Sequence, residues 1–138
     1  DSMGVQGILS PCATANANWD IDEVGDIPTG CPSEYMIAVT NTTRNDLKNS
    51  GAAYGDSTID LGAPGTTILS TDVNGTYTNK TGTSMATPHV AGAAALYKAR
   101  HPSATWSEIK SAILNSATPT PSLDGKVVSG GRLNVSEF

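Results

Sequence analysis

Two stretches of the chain are continuously apolar. Residues 4–9 form a short apolar run that ends before Pro11, and residues 35–40 have the sequence Tyr-Met-Ile-Ala-Val-Thr. Strands of parallel sheets are covered on both faces, so they lack the polar alternation of half-exposed strands. The pattern therefore predicts a buried strand in each stretch.

Two later stretches have helical patterns. Residues 84–100 carry small and apolar residues nearly all round until Lys98, which predicts a helix buried in the core. Residues 105–117 open with Thr105 followed by Glu108, the spacing of a capping box. The apolar stripe of this second predicted helix consists of Trp106, Ile109, Ala112, Ile113 and Ala117.

The remaining stretches are polar or rich in turn-forming residues. Residues 16–33 and 41–55 are predicted to be mostly loop, and residues 63–65 a turn. Residues 68–70 and 75–78 are predicted to be short strands. Buried parallel strands followed by helices indicate an α/β layered sheet. Because so few strands make a narrow sheet, we expect another element to cover the first apolar stretch.

Composition and charge exclude several classes of protein. The chain has 138 residues, 38% hydrophobic and 15% charged, which suits one domain or a piece of one and is too apolar for a disordered chain. No apolar run approaches the ~18 residues of a membrane span, and the start lacks the regions of a signal peptide. Since the chain begins with Asp1 instead of Met, we expect a mature product or a fragment. The net charge of −5 repels phosphate backbones and argues against nucleic-acid binding.

Cysteines and glycosylation sequons leave alternatives open. A bridge between Cys12 and Cys31 would close a loop of roughly 20 residues and contribute about 3 kcal/mol in the chain-entropy model. Two free thiols are the other interpretation. Four Asn-x-Ser/Thr sequons fit an extracellular surface, but they also arise by chance in a chain rich in Thr and Asn. They begin at Asn41, Asn74, Asn79 and Asn134.

The strongest candidate for chemistry is a serine at a loop-to-helix junction. Ser84 follows Gly82, whose missing side chain lets another backbone come close, and opens the predicted helix over residues 84–100. A residue in the first turn of a helix has a free N–H at the positive end of the helix dipole. Helix physics alone allows two interpretations, a reactive serine or a serine that caps a buried helix.

The residues around this serine carry a family resemblance. Residues 82–92, Gly-Thr-Ser-Met-Ala-Thr-Pro-His-Val-Ala-Gly, resemble without a break the nucleophile motif of the subtilisin-like serine peptidases (subtilases, peptidase S8 family). The resemblance extends over residues 60–71 and 101–117, and upstream over residues 7–16. Departures from the family pattern in the upstream part are Pro11, Cys12 and Ala15. The resemblance implies that residues 1–138 are the C-terminal part of one subtilisin-like catalytic domain, a three-layer αβα fold with a mainly parallel sheet.

The resemblance also implies roles for individual residues. Ser84 would be the nucleophile that accepts the acyl group. Asn16 would supply the side-chain donor of an oxyanion hole whose second donor is the Ser84 N–H. Asn18 is the alternative donor, because Ala15 stands where the family usually has glycine. The residues implied to bind the peptide or protein substrate are Ala13, Thr14, Ala15, Gly82 and Thr83.

Neither histidine of the chain fits the role of the general base. His89 lies five residues after Ser84, about 500° round a helix, so it points roughly 140° away from the serine. It is expected to be a structural histidine that is hydrogen-bonded in the core. His101 precedes Pro102 at a helix end, a common place for a C-terminal cation.

The remaining members of a catalytic triad are missing from this sequence. A triad needs a histidine base and an orienting carboxylate. The resemblance places both upstream of the oxyanion asparagine, where this chain has neither motif. It therefore implies a companion chain or segment, the N-terminal part of the same catalytic domain. The chain alone is expected to be inactive or nearly so.

Two functions from different classes follow. One is a serine endopeptidase, exported from the cell, whose other part lies elsewhere, and the other is a non-catalytic subtilase-like module that binds or assembles. They differ in whether a histidine reaches Ser84. An esterase is disfavoured, because residues 82–86 lack the final glycine of G-x-S-x-G.

No cofactor or metal is predicted. The sequence lacks the Cys/His spacing of zinc sites and the Asp-x-Asp-x-Asp-Gly loop of calcium sites. One acidic loop is interpreted as a solvated turn. Its residues are Asp20, Asp22, Glu23 and Asp26.

Overall fold

The computed structural model describes all 138 residues as a five-stranded sheet with helices and a separate hairpin. The sheet strands are β1 (Ser10–Ala13), β2 (Met36–Thr42), β3 (Leu61–Pro64), β6 (Thr118–Pro119) and β7 (Gly131–Arg132). The hairpin strands are β4 (Ile68–Thr71) and β5 (Tyr77–Lys80). The α-helices are α1 (Ile21–Val24), α2 (Thr83–Arg100) and α3 (Trp106–Asn115).

The sheet is mainly parallel, as the sequence predicted. Its strand order is β1-β2-β3-β7-β6, and only the last pair runs antiparallel. Every residue of β2 is buried, which confirms the predicted strand over residues 35–40 and extends it to Thr42. Helices α2 and α3 contact each other, and α2 packs on β1, β2 and β3. The α/β fold class is therefore confirmed.

The prediction of a strand over residues 4–9 is wrong. Gly4–Gln6 is a 3-10 turn that Gly7 closes with a left-handed φ of 86°, and the strand begins at Ser10. A left-handed residue interrupts an extended run, and glycine adopts that conformation at little cost. Gly4 is buried and Leu9 packs against the core, but Val5 and Ile8 are 66% and 48% exposed, so their side chains lack the expected cover.

The structure also changes three further predictions, one for a turn, one for the two short strands and one for a loop. The predicted turn at residues 63–65 is wrong, because β3 continues through Pro64, which is its last residue. The two predicted short strands exist as β4 and β5, paired antiparallel, with the second beginning two residues later than expected. The predicted loop over residues 16–33 contains the short helix α1, which buries Ile21.

Both long helices are confirmed, but α2 is buried on one face instead of all round. Its buried residues are Thr83, Ala86, Val90 and Ala93. Leu96 is 44% exposed, because the sheet and α3 cover one side of the helix. Helix α3 begins with the predicted capping box, in which the Glu108 carboxylate accepts from Thr105 N at 2.7 Å and Thr105 Oγ1 accepts from Glu108 N at 3.3 Å. The Thr105 N–H holds the pKa of the exposed Glu108 carboxyl below its usual range.

Two apolar clusters form the core on the two faces of the sheet. The larger lies under α2 and α3 and consists of Ile37, Val39, Leu61, Ala63, Ala86, Val90, Ala93, Ala104, Ile109, Ile113 and Phe138. The smaller lies under the loops of the opposite face and consists of Ile21, Ala38, Ala53, Ile59, Leu123 and Val127. No helix combines the length and the apolarity that crossing a membrane requires.

The cysteines are free, and the sequons differ in exposure. Cys12 is half-buried and Cys31 exposed, and no bridge joins them. Burial raises the pKa of the Cys12 thiol. Asn41 is 1% exposed, so its side chain is inaccessible in the folded chain. Asn74 and Asn79 are exposed in and beside the hairpin, and Asn134 is half-buried.

Candidate active site

The end of β1 and the start of α2 meet at a junction of side-chain hydrogen bonds. Thr83, which is fully buried, donates from Oγ1 to the Thr14 carbonyl at 2.6 Å, and the same Oγ1 lies 3.2 Å from Asn16 Oδ1. The Thr83 backbone N–H donates to the same Asn16 Oδ1 at 3.0 Å. These bonds bring Asn16 beside the helix start that carries Ser84.

The bonds to Thr83 fix which way the Asn16 amide faces. A backbone N–H can only donate, so the atom of Asn16 that faces it is the carbonyl oxygen. The Nδ2 amino group then points the other way, and it donates to no protein acceptor. Because Asn16 is exposed, its N–H groups are available to a ligand.

Ser84 supplies a second free donor next to the first. It lies in the first turn of α2, where the Met85 and Ala86 N–H groups donate to the Gly82 carbonyl and the Ser84 N–H has no protein acceptor. The side chain is exposed, and its hydroxyl makes no hydrogen bond. The positive end of the helix dipole favours negative charge at this point. Asn16, which is bonded to the residue before Ser84, therefore has one unpaired donor, and Ser84 has a second unpaired donor and a free hydroxyl.

Two glycines bring the loop before Ser84 close to the sheet. The Gly82 N–H donates to the Gly65 carbonyl at 2.9 Å. A Cβ on Gly65 would lie 2.7 Å from the Gly82 carbonyl oxygen and 2.6 Å from Asn41 Oδ1, closer than real Cβ atoms approach. A Cβ on Gly82 would lie 3.3 Å from Asn16 Oδ1. The loop before Ser84 can therefore lie this close to the sheet because position 65 has no side chain.

An open cleft of about 280 Å³ borders the serine. Its walls come from β4 and the first two turns of α2. The lining residues are Ile68, Ser70, Ser84, Met85, Pro88 and His89. Ser84 is therefore accessible from the side of the hairpin as well as from the β1 end.

Neither histidine pairs with the serine. His89 shares the cleft with Ser84, but its Nδ1 contacts the Met85 carbonyl at 2.9 Å on its own helix. The expectation that His89 lies in the core is wrong, since the side chain is exposed here. His101 is the C-cap of α2, as its place in the sequence indicated, and its ring lies 4.4 Å from that of Tyr97. No hydrogen bond joins any histidine or carboxylate to Ser84.

The residues predicted to bind substrate lie along the same junction. Ala13 is the last residue of β1 and is half-buried, as is Ala15. Thr14, Gly82 and Thr83 are buried, so any contact they make with a substrate runs through their backbone. Substrate binding by these five residues stays a prediction.

The oxygen of the alternative donor Asn18 has its partner elsewhere. Its Oδ1 accepts from Lys48 Nζ at 3.2 Å, and Lys48 also donates to the Asn49 and Ala52 carbonyls. Burial, together with the nearby Lys126 charge, lowers the pKa of Lys48. Asn18 thus belongs to a surface network beside the junction, without a contact to α2.

The acidic loop contains one residue that sequence reasoning misjudged. Asp26 is half-buried instead of solvated, and its Oδ2 accepts from the Ala15 N–H at 3.1 Å and from the Thr14 hydroxyl at 3.2 Å. The Thr29 hydroxyl donates to the same oxygen. No signal in the sequence indicated that this turn folds back onto β1. No group of three or more His, Cys, Asp or Glu side chains is arranged to hold a metal ion.

Known proteins resemble this chain in sequence and in fold. Thermitase of Thermoactinomyces vulgaris is 44% identical over 112 residues, which are 80% of this chain and 39% of thermitase. Subtilisin E of Bacillus subtilis strain 168 is 41% identical over 120 residues, which are 86% of this chain and 30% of that protein. A solved structure from work on the structural basis of subtilase cytotoxin SubAB assembly superimposes with a TM-score of 0.82 at 28% identity, over 97% of this chain and 49% of that one.

The comparisons differ in how much of each protein they cover. This chain spans less than half the length of each of these relatives. Within the chain itself, the profile of the Subtilase family matches residues 2–132, a range that contains both the Asn16 junction and Ser84. With the sequence, the sheet and the junction in agreement, the chain belongs to the subtilase family.

Proposed function

We propose that this chain is the C-terminal part of the catalytic domain of a serine endopeptidase. Ser84 acts as the nucleophile, and Asn16 Nδ2 and the Ser84 N–H stabilise the oxyanion. The observation that supports this most directly is the Asn16 amide, whose oxygen is bonded to Thr83 while its amino group stays free next to the unpaired N–H of Ser84. Such prearranged donors stabilise the charge that develops on a carbonyl oxygen when a nucleophile adds to it.

The reaction proceeds by acyl transfer. The Ser84 oxygen adds to the carbonyl carbon of the scissile peptide bond while a histidine base takes the hydroxyl proton. The resulting oxyanion accepts hydrogen bonds from Asn16 and from the Ser84 N–H. Collapse of this intermediate breaks the C–N bond, and the histidine returns the proton to the leaving amine. Water then cleaves the acyl ester by the same two steps and restores the serine.

The base and its carboxylate come from outside residues 1–138 in this proposal. A companion chain or segment, the N-terminal part of the same domain, supplies both. Two features support such a partner. Strand β1 is an open edge of the sheet, and apolar side chains before it and along the outer face of α2 are exposed. These exposed residues include Met3, Val5, Ile8 and Leu96.

The substrate lies along the junction in this proposal. The backbone of Ala13, Thr14 and Ala15 forms one wall for the residue before the cleaved bond, and Gly82 and Thr83 border the reacting carbonyl. The parent protein acts outside the cell, a proposal that extends from the family alone. The finding that favours the second candidate, a non-catalytic binding module, is that no base contacts Ser84 within this chain.

Labelling with a fluorophosphonate, followed by mass mapping, tests the proposal. The chain alone and the chain with its N-terminal companion are treated in parallel, with Ser84→Ala as the matched control. We expect an adduct on Ser84 with the companion, little or none without it, and none in the control. An intact complex that forms no Ser84 adduct would contradict the peptidase and support the binding module.

A further inference from the structure

We propose that Asp26 is a positioning residue for the oxyanion hole, and this inference rests on the proposed function. The carboxylate touches neither Ser84 nor the free amide of Asn16. It holds the two residues that precede Asn16, through the Ala15 N–H at 3.1 Å and the Thr14 hydroxyl at 3.2 Å. Its role is therefore to fix where the Asn16 side chain begins.

Hydrogen bonds hold residues 14–16 to three parts of the fold. The Thr14 N–H donates to the Val39 carbonyl of β2 at 3.2 Å, and the Ala15 carbonyl accepts from the Ala53 N–H of the loop after β2 at 3.0 Å. Toward α2, the Thr14 carbonyl and Asn16 Oδ1 both bind Thr83. On the remaining side the Ala15 N–H and the Thr14 hydroxyl have Asp26 as acceptor.

A single oxygen of Asp26 makes all of these contacts. Oδ2 accepts from Ala15, Thr14 and Thr29, and Oδ1 has no protein partner. Thr29 is 1% exposed, and its hydroxyl oxygen lies 3.4 Å from that of Thr14, so the turn that carries Asp26 is itself anchored. One acceptor oxygen at a fixed place, and not the negative charge, is what the segment requires.

Loss of this acceptor affects chemistry more than binding. Without it the Ala15 N–H is left unsatisfied in a half-buried place, and the segment shifts to find a partner. A misplacement of about 1 Å in a catalytic group can cost about 10²-fold in rate. Because the oxyanion forms only in the transition state, the loss is expected in kcat, with KM nearly unchanged.

Two conservative variants distinguish position from charge. Asp26→Asn keeps an acceptor oxygen where Oδ2 lies and places its amino group where Oδ1 has no partner. Asp26→Glu keeps the charge but moves the carboxylate by one methylene. A positioning role predicts that Asp26→Asn retains most of kcat, whereas Asp26→Glu and Asp26→Ala lose about 10- to 100-fold. Glu23→Ala, which removes an exposed carboxylate from helix α1 three residues before Asp26, is the control and keeps wild-type kcat.

The experiment measures kcat, KM and Ser84 labelling rates in the assembled enzyme, and amide hydrogen exchange at Ala15 in the chain. We expect Ala15 exchange to accelerate in Asp26→Glu and Asp26→Ala but not in Asp26→Asn. Asp26→Asn and Asp26→Glu decide the matter even if Asp26→Ala fails to fold. The positioning role of Asp26 is overturned if Asp26→Asn loses as much kcat as Asp26→Ala, or if Asp26→Glu keeps the wild-type kcat. Either result leaves the proposed function standing. A wild-type assembly without a Ser84 adduct overturns the proposed function as well.

Discussion

The junction around Thr83 and the outer surface around residues 1–9 are built in opposite ways. At the junction, buried polar groups satisfy one another, and the groups left over are the two donors beside Ser84. At the outer surface, apolar side chains such as Val5 and Ile8 are exposed, and strand β1 has no partner strand on its outer edge. The first region has its partners within the chain, while the second lacks them.

This difference separates two requirements of the proposed chemistry. Oxyanion stabilisation needs fixed dipoles, and those depend on contacts that residues 1–138 already contain. Proton transfer needs a base, and no histidine of this chain contacts the serine. In the proposed function, the chain therefore supplies the donors for the oxyanion, and the base that activates Ser84 comes from outside residues 1–138.

The largest expected effect comes from the core that supports both regions. Ile113 is fully buried under α2 and the sheet, so Ile113→Ala is expected to lower the free energy of unfolding by about 2–5 kcal/mol. Val5→Ala, at a site that is 66% exposed, is the control and should change it by less than about 0.5 kcal/mol. Urea unfolding of the chain measures both. If the two variants lowered the free energy of unfolding by similar amounts, residues 1–9 would be packed in solution, and the outer surface would not differ from the junction as described.

The next effect concerns the junction itself. Asn16→Ala in the assembled enzyme is expected to lower kcat by about 10²–10³-fold with little change in KM, the loss established for the corresponding donor in subtilisin. Asn18→Ala is the matched control and should leave kcat near wild type, because the Asn18 oxygen accepts from Lys48, whereas that of Asn16 accepts from Thr83 at the start of α2. Steady-state kinetics on a peptide substrate measure both. If Asn18→Ala lowered kcat more than Asn16→Ala, the oxyanion donor would be Asn18 and not Asn16.

The smallest expected effect is a change with pH in the free energy of unfolding, caused by the buried carboxyl of Asp60 away from the junction. Asp60 accepts from the Ala38 N–H at 2.7 Å and lies 3.8 Å from Lys110 Nζ. Burial raises the pKa of Asp60 above 3.8, against the opposing influence of Ala38 and Lys110. The Asp60 carboxyl therefore binds its proton more tightly in the folded state than in the unfolded state. The protonated carboxyl stabilises the folded state fully below pH 3.8, and this stabilisation is lost as the pH rises through the pKa of Asp60 in the folded state.

Asp60→Asn tests that sign. The free energy of unfolding of the variant should improve relative to wild type as the pH rises from 3.8, and urea unfolding across that range measures the difference. A difference that stays constant with pH would show that the Asp60 pKa is not raised. Because Asp60 touches no junction residue, Ser84 labelling in the assembled enzyme should stay unchanged.

Local signals in the sequence were enough to predict β2, α2 and α3. An unbroken apolar run identified β2, and the Thr105–Glu108 spacing identified the start of α3. The stretch over residues 4–9 failed, because a left-handed Gly7 interrupts it and the strand starts beyond that turn. For α2, small residues give the two faces similar hydrophobicity, so the pattern did not reveal which face the sheet covers.

The candidate site was predictable as a set of residues but not as a set of contacts. The motif around Ser84 made this residue the candidate nucleophile, and the resemblance made Asn16 the candidate donor. The bonds that orient Asn16 connect residues 67 positions apart, and no local pattern contains them. Asp26 was misjudged for the same reason, since its contact with Thr14 depends on how the intervening turn folds.

Strand β1 also bears on how copies of this chain behave toward one another. Its Ser10 N–H and the Thr14 N–H just beyond its end point toward β2, so by alternation Pro11 and Ala13 face the open edge. Proline has no N–H, and an added strand therefore finds a donor at Ala13 but none at residue 11. Open strand edges are sites of aggregation, and natural proteins blunt them with proline. The residue that departs from the family pattern thus shortens the ladder that a second copy can form there.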